Sequence, residues 1–238
     1  MNWDAVAGAF SLLTILPFKP LERERGRIFA HFPFVGLVIG VILAMLAANE
    51  ALAPPVRILT VLVAWIVITG GLHLDGVGDF CDGVLSTAPP QRRLEIMRDP
   101  QSGTWAVVGL VVVLLAKWAL LQDITPFLLI VPPVLGRLAM VFAAYSFPYA
   151  RSEGMGSLFR EGLGRREVLV AIGQSVLFIL PAILLFGSRP LLALVLTPVL
   201  VLVLGNWTAS RLGGGLTGDV YGAMCELTEI MCLLCLTV

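Results

Sequence analysis

The sequence predicts an all-α polytopic membrane protein, a bundle of six to seven transmembrane helices forming one domain over residues 1–238. Three observations predict it. The chain is 58% hydrophobic and only 13% charged, with a mean hydropathy of +0.94. Soluble domains carry about 25% charged residues, and a chain this short cannot cover so much apolar surface with a core of its own. Apolar runs recur at bilayer-spanning length, and the basic residues concentrate in alternate loops.

The runs fall at 33–53, 56–74, 104–121, 125–146, 168–187, 190–208 and 220–237. Each is close to the ~20 residues that cross a hydrocarbon core as a helix. Ala53-Pro54-Pro55 is a turn signal between the first two runs, and Gly187-Ser188-Arg189-Pro190 separates the fifth from the sixth. Pro132-Pro133 lies inside the fourth run and predicts a kink. The last run carries Glu226 and Glu229 and is either a full span or a half-span, which decides the side on which the chain ends.

Charge orients the bundle. The loops at 1–32, 75–103, 147–167 and 209–219 hold Lys19, Arg23, Arg25, Arg27, Arg92, Arg93, Arg98, Arg151, Arg160, Arg165, Arg166 and Arg211. The opposite loops hold only Arg57 and Arg189. This positive-inside bias predicts a cytoplasmic N-terminus. Met1 opens a mixed segment with Asp4 rather than a basic stretch and an apolar core, so no cleavable signal peptide is expected. The formal net charge is zero, which gives no footprint for nucleic acid. Of the cysteines Cys81, Cys225, Cys232 and Cys235, the last two have CxxC spacing. No histidine accompanies them, and they read as small buried side chains of a membrane helix.

The strongest chemical signal is Asp75, Asp79 and Asp82, within His73-Leu74-Asp75-Gly76-Val77-Gly78-Asp79-Phe80-Cys81-Asp82-Gly83. In a helix, positions i, i+4 and i+7 share a face. Carboxylates crowded beside a bilayer repel one another and call for a cation; hard oxygen ligands suggest Mg²⁺, and Mg²⁺ suggests a phosphate-bearing substrate. The interleaved glycines permit close approach of a backbone or phosphate. His73 can be a base, a partner of a ligand-holding residue or a phosphate donor.

Arg98 can fork onto a phosphate oxygen, while Asp99, before Pro100, is either a site carboxylate or a turn former. Lys117 and Arg137 fall inside spans, where a charge is costly. Arg137 reads as a substrate contact; Lys117 either snorkels, pairs with Asp123 or joins the site. Gly213-Gly214-Gly215-Leu216-Thr217-Gly218-Asp219 can offer backbone N–H groups to an anion, and Asp219, Glu226 and Glu229 after it form a second acidic wall or pair with arginines. The charge bias places the acidic cluster, Arg98-Asp99, Pro148-Tyr149-Ala150-Arg151 and the glycine loop on the same, cytoplasmic, side.

In order along the chain, Phe10-Ser11-Leu12-Leu13-Thr14-Ile15-Leu16-Pro17, Phe32-Pro33-Phe34-Val35-Gly36, His73-Leu74-Asp75-Gly76 with Asp79 and Asp82-Gly83, Arg98-Asp99-Pro100 with Gly103, Pro148-Tyr149-Ala150-Arg151, and Thr217-Gly218-Asp219 through Glu226 and Glu229 closely resemble the cobalamin synthase (adenosylcobinamide-GDP ribazoletransferase) family. The departures are modest: Val77, Gly78, Phe80 and Cys81 stand where Leu, Ala and other small or Thr-like residues are expected, and all three aspartates remain. The resemblance implies joining adenosylcobinamide-GDP to α-ribazole, or to its 5′-phosphate, with release of GMP, at the bacterial inner membrane with Mg²⁺ as cofactor. In that reading Asp75, Asp79 and Asp82 hold metal. His73 and Asp99 are the catalytic candidates, one further carboxylate or His73 taking the proton from the ribazole hydroxyl. Arg98, Arg137 and Arg151 clamp phosphates, with Asp219 and Glu226 also at the substrate. The spacing is also similar to the Asp-rich motif of CDP-alcohol phosphotransferases. The alternatives are such a transferase, a UbiA-type prenyltransferase or, in a different class, a transporter. The partners expected are small-molecule substrates and the lipid bilayer; whether the chain forms a homo-oligomer is left open.

Overall fold

The computed structural model describes residues 3–21, 25–151 and 162–237. Arg23 and Arg160, counted in the charge bias, lie outside them. The described residues form ten α-helices: α1 Trp3–Leu13, α2 Phe32–Ala47, α3 Pro54–Thr69, α4 Leu72–Val84, α5 Pro90–Ile96, α6 Thr104–Leu120, α7 Val131–Ser146, α8 Arg165–Phe186, α9 Ser188–Leu212 and α10 Gly218–Thr237. Short 3₁₀ turns at Arg25–His31 and Pro126–Ile130 lead into α2 and α7. The all-α polytopic bundle expected from the sequence is what the chain forms.

Helix starts follow local chemistry. Proline stands at the first or second position of α3, α5 and α7, where a missing N–H costs nothing. Pro132-Pro133 therefore does not kink a span: it opens α7 after the 3₁₀ turn, a correction to the expected mid-helix bend. The run 56–74 is also not one straight helix. Gly70 and Gly71 adopt φ of +61° and +70°, conformations that favour glycine, and α3 and α4 diverge by 85° there. The acidic stretch thus has a helix of its own.

Five helical segments, counting the 3₁₀ turn before α2 and that before α7, are singly long and apolar enough to cross a membrane, and α3 with α4 supplies a sixth as a broken span. Helix α6 is apolar but has 17 residues, about 25 Å of rise. Burial separates inner from outer helices. The best apolar window of the α7 segment is 83% buried, against 28% for α8 and α9, whose Leu177, Leu184, Leu202 and Val203 point outward as a lipid-facing surface should. Helix α7 is thus the central post. It packs against α2 and α10, and α10 in turn packs against α4.

Glycines set the closest crossings. A Cβ on Gly36 would come within 2.4 Å of the Pro133 carbonyl oxygen, fixing α2 against α7. One on Gly76 would meet the Asp219 carbonyl at 2.7 Å, and Gly222 lies on the same crossing, against His73. Small residues here let α4 and α10 touch backbone to backbone, which positions the site.

Candidate functional site

Helix α4 carries Asp75, Asp79 and Asp82 at the helical spacing expected. Its exposed C-terminal carbonyls need donors, since the last turn has no partners of its own. Arg93 Nη1 and Arg211 Nε both donate to the Val84 carbonyl, at 2.8 and 2.7 Å, and Arg211 Nη2 donates to that of Ser86 at 2.9 Å. Two guanidiniums at the negative end of the helix dipole hold the acidic helix by the end away from His73.

The second acidic element arrives through a backbone clip. Ala150 N–H donates to the Leu216 carbonyl at 2.8 Å and Leu216 N–H to that of Pro148 at 2.9 Å, a one-rung parallel bridge between the segments following α7 and preceding α10. This brings Arg151 beside Asp219: Arg151 Nη2 donates to Asp219 Oδ2 at 3.2 Å, and the Thr217 hydroxyl donates to the same oxygen at 3.1 Å. The charges of Asp219, Asp75 and Asp82 all bear on Asp79, opposed by that of Arg151.

A cavity of about 490 Å³ opens between these elements. Asp75, Asp219, Arg98, Arg151 and Tyr149 supply its polar side, Leu12, Leu13, Phe29, Phe32 and Met140 its apolar side, and His73, Gly76, Gly218 and Gly222 its floor. The expected meeting of the aspartate helix, the Arg98 loop, the Arg151 loop and the end of the glycine loop is therefore what the fold brings about. Sequence reasoning assigned no role to the apolar wall. Leu12, Leu13 and Phe32 lie within motifs quoted for the family resemblance, and that was the available signal.

Five of the expected site residues do not line the cavity; Asp79 stands beside it, among the charges of Asp219 and Asp75, and the other four go elsewhere. Asp82 turns toward α6: its Oδ2 accepts from Gly103 N–H at 2.6 Å and its Oδ1 from Ala106 N–H at 2.9 Å, satisfying orphan donors of that helix. Asp99 is exposed and accepts from the Gln101 N–H at 3.0 Å, the turn-forming alternative. Arg137 and Glu226 do not line the cavity. Both are buried, Arg137 completely, in a group of four charges: Lys117 Nζ lies 2.7 Å from Glu226 Oε2 and also bonds Glu229, which accepts from Arg137. Lys117 neither snorkels outward nor pairs with Asp123, and it sits 4.1 Å from the centre of the Trp65 ring. A seventeen-residue helix seen in isolation gives no sign that Lys117 reaches carboxylates more than a hundred residues away. The cysteines are free thiols, with Cys225 and Cys232 buried as expected.

The donor chemistry suits a hard divalent cation. Asp75, Asp79 and Asp219 offer only carboxylate oxygens, and their charges exceed what Arg151 offsets. Among the described residues no three acidic, histidine or cysteine groups already stand at metal-centre spacing. That is compatible with Mg²⁺, which is commonly held by one or two carboxylates together with substrate phosphates.

Fold and cavity together define a class: a polytopic α-helical membrane protein with a pocket of carboxylates and guanidiniums at one end of the bundle and an apolar wall facing them. The chain belongs to the family described as cobalamin-5-phosphate synthase, whose model matches residues 5–237. It is 39% identical to the adenosylcobinamide-GDP ribazoletransferase of Roseiflexus sp. (strain RS-1) over 99% of this chain and 91% of that one. It is 38% identical to that of Stutzerimonas stutzeri (strain A1501), over 93% and 92%, and 36% identical to that of Escherichia coli O17:K52:H18, over 95% and 96%. No solved structure matches the chain.

Proposed function

We propose that the protein transfers the adenosylcobinamide phosphate moiety of adenosylcobinamide-GDP to α-ribazole, or to its 5′-phosphate, forming adenosylcobalamin or its 5′-phosphate and releasing GMP. The observation that carries the reading is the cavity: carboxylates and guanidiniums face each other across a space whose other wall is apolar. Family membership over nearly the whole chain supplies the substrate class.

In the reaction a ribazole hydroxyl oxygen attacks the phosphorus bonded to the cobinamide side. The bond from that phosphorus to the bridging oxygen breaks, and GMP leaves with that oxygen. Arg98 and Arg151 are placed to neutralise phosphate oxygens, Arg151 from a position already fixed by Asp219. The proton of the attacking hydroxyl goes to a cavity carboxylate, for which Asp219 stands in the lining. Asp75 and Asp79 would hold Mg²⁺, which when bound would offset charge on the substrate phosphates and on the departing GMP. The apolar wall is suited to take an aromatic ring and exclude water. Positive charge on the adjoining loops supports the reading that this end of the bundle faces the cytoplasm, with the protein in the bacterial inner membrane.

The buried charges weigh against the rivals. A prenyltransferase of the UbiA type needs a second acidic motif free to bind metal, whereas Glu226 and Glu229 are engaged by Lys117 and Arg137. A transporter needs charges strung along a path, whereas these form a closed group of two cations and two anions. The test is GMP release by the purified protein given both substrates and Mg²⁺, compared with incubation with a prenyl diphosphate. GMP release is expected only from the first mixture; prenyl transfer, or liposome transport without GMP, would displace the proposal.

A further inference from the structure

The most unusual feature outside the cavity wall is the buried chain Glu226–Lys117–Glu229–Arg137–His73, whose members are all at most 3% exposed. Burying this many ionisable groups in a membrane bundle is expensive, and such groups usually serve a site. The chain has a direction. Arg137 gives Nη1 to Glu229 and Nη2 to His73 Nδ1, the latter at 3.4 Å. His73 is its last member and alone reaches the cavity. His73 Nε2 is buried and has no partner among the described residues.

A guanidinium has donors and no acceptor. Nδ1 facing Arg137 must therefore be the accepting nitrogen, and the hydrogen of the neutral ring resides on Nε2. We propose that His73 is a fixed hydrogen-bond donor, presenting Nε2–H to an anionic oxygen of the bound substrate, and is not the proton acceptor of the reaction; Arg137, locked by Glu229 and Lys117, is its positioning residue. The anion is a phosphate oxygen if the phosphoryl-transfer reading above holds, on which the identity of the acceptor rests. The arrangement explains why two apolar helices, α6 and α7, carry Lys117 and Arg137: each charge fixes the orientation of the next, ending in one aimed N–H. A donor set in advance where charge develops needs no rearrangement during reaction.

The chain has two histidines, so protein carrying His31→Asn and labelled with ¹⁵N-histidine reports on His73 alone. In detergent without substrate, the spectrum is expected to show Nε2 protonated and Nδ1 bare, and Arg137→Gln is expected to release the ring into a mixture of tautomers. For activity, His73→Ala is expected to lose about 10²–10³-fold in GMP release. His73→Gln, which puts an amide N–H near the position of Nε2, is expected to recover most of it with the pH profile of wild type. A ring protonated at Nδ1, or a His73→Gln protein that melts like wild type yet is as inactive as His73→Ala, would overturn the proposal. If wild type releases no GMP while the tautomer is as stated, it is the reaction assignment that fails and not the donor.

Discussion

At the scale of single residues, the three aspartates of α4 have different duties despite their regular spacing. Asp75 faces the cavity, Asp79 sits among the charges of Asp219 and Asp75, and Asp82 holds the start of α6. The spacing announced a shared face, but not that a neighbouring helix would arrive with unsatisfied N–H groups to claim one member. Asp82→Asn keeps only one of the two accepting oxygens and is expected to lose part of the stability, whereas Asp82→Ala should lose more, about 1 kcal/mol, the usual worth of such a cap, read as a lower melting temperature in detergent. Equal melting of the two variants would remove the capping role. Arg151 is expected to resist conservative exchange: Arg151→Lys cannot both bond Asp219 and face a phosphate with one planar fork, so KM for the GDP-bearing substrate should rise with little change in melting.

At the scale of elements, the α4–α10 crossing decides whether the acidic groups meet. Gly76→Ala places a Cβ 2.7 Å from the Asp219 carbonyl, closer than real contacts. Overpacking of this kind costs about 1–3 kcal/mol. The variant is expected to melt lower and, because α4 must move away from Asp219, to lose activity more than its stability explains; unchanged turnover would show that the crossing is not needed for the site. Most of the helices were legible because hydropathy at spanning length is a strong signal. The break at Gly70-Gly71 was missed because the apolar run reads the same whether straight or bent; its signal was the glycine pair itself, which marks turns and adopts the two consecutive positive φ values behind the 85° turn. The displacement of Pro132-Pro133 to a helix start has the same origin, since a proline pair inside an apolar run can kink a helix or begin one.

At the scale of the whole molecule, two polar systems share one apolar bundle: an open cavity at its end and a closed group of charges within it, joined through His73. The cavity was legible because its parts lie in polar loops that the charge bias put on one side. The inner group was not, because the partners of Lys117 and Arg137 come from a helix far along the chain. Removing one member should be worse than removing a pair. Lys117→Met leaves two buried carboxylates against one guanidinium and is expected to cost about 3–5 kcal/mol. Lys117→Met with Glu226→Gln should recover part of that, and a melting temperature no higher than that of the single variant would contradict the pairing. In the proposed function, carboxylates and guanidiniums at this end of the bundle perform a phosphoryl transfer. The most direct measurement is GMP release by purified wild-type and Asp79→Ala protein given adenosylcobinamide-GDP, α-ribazole and Mg²⁺. The expected result is one GMP per cobalamin formed by wild type and none by Asp79→Ala; wild-type turnover from Asp79→Ala, or no GMP from wild type, would contradict it.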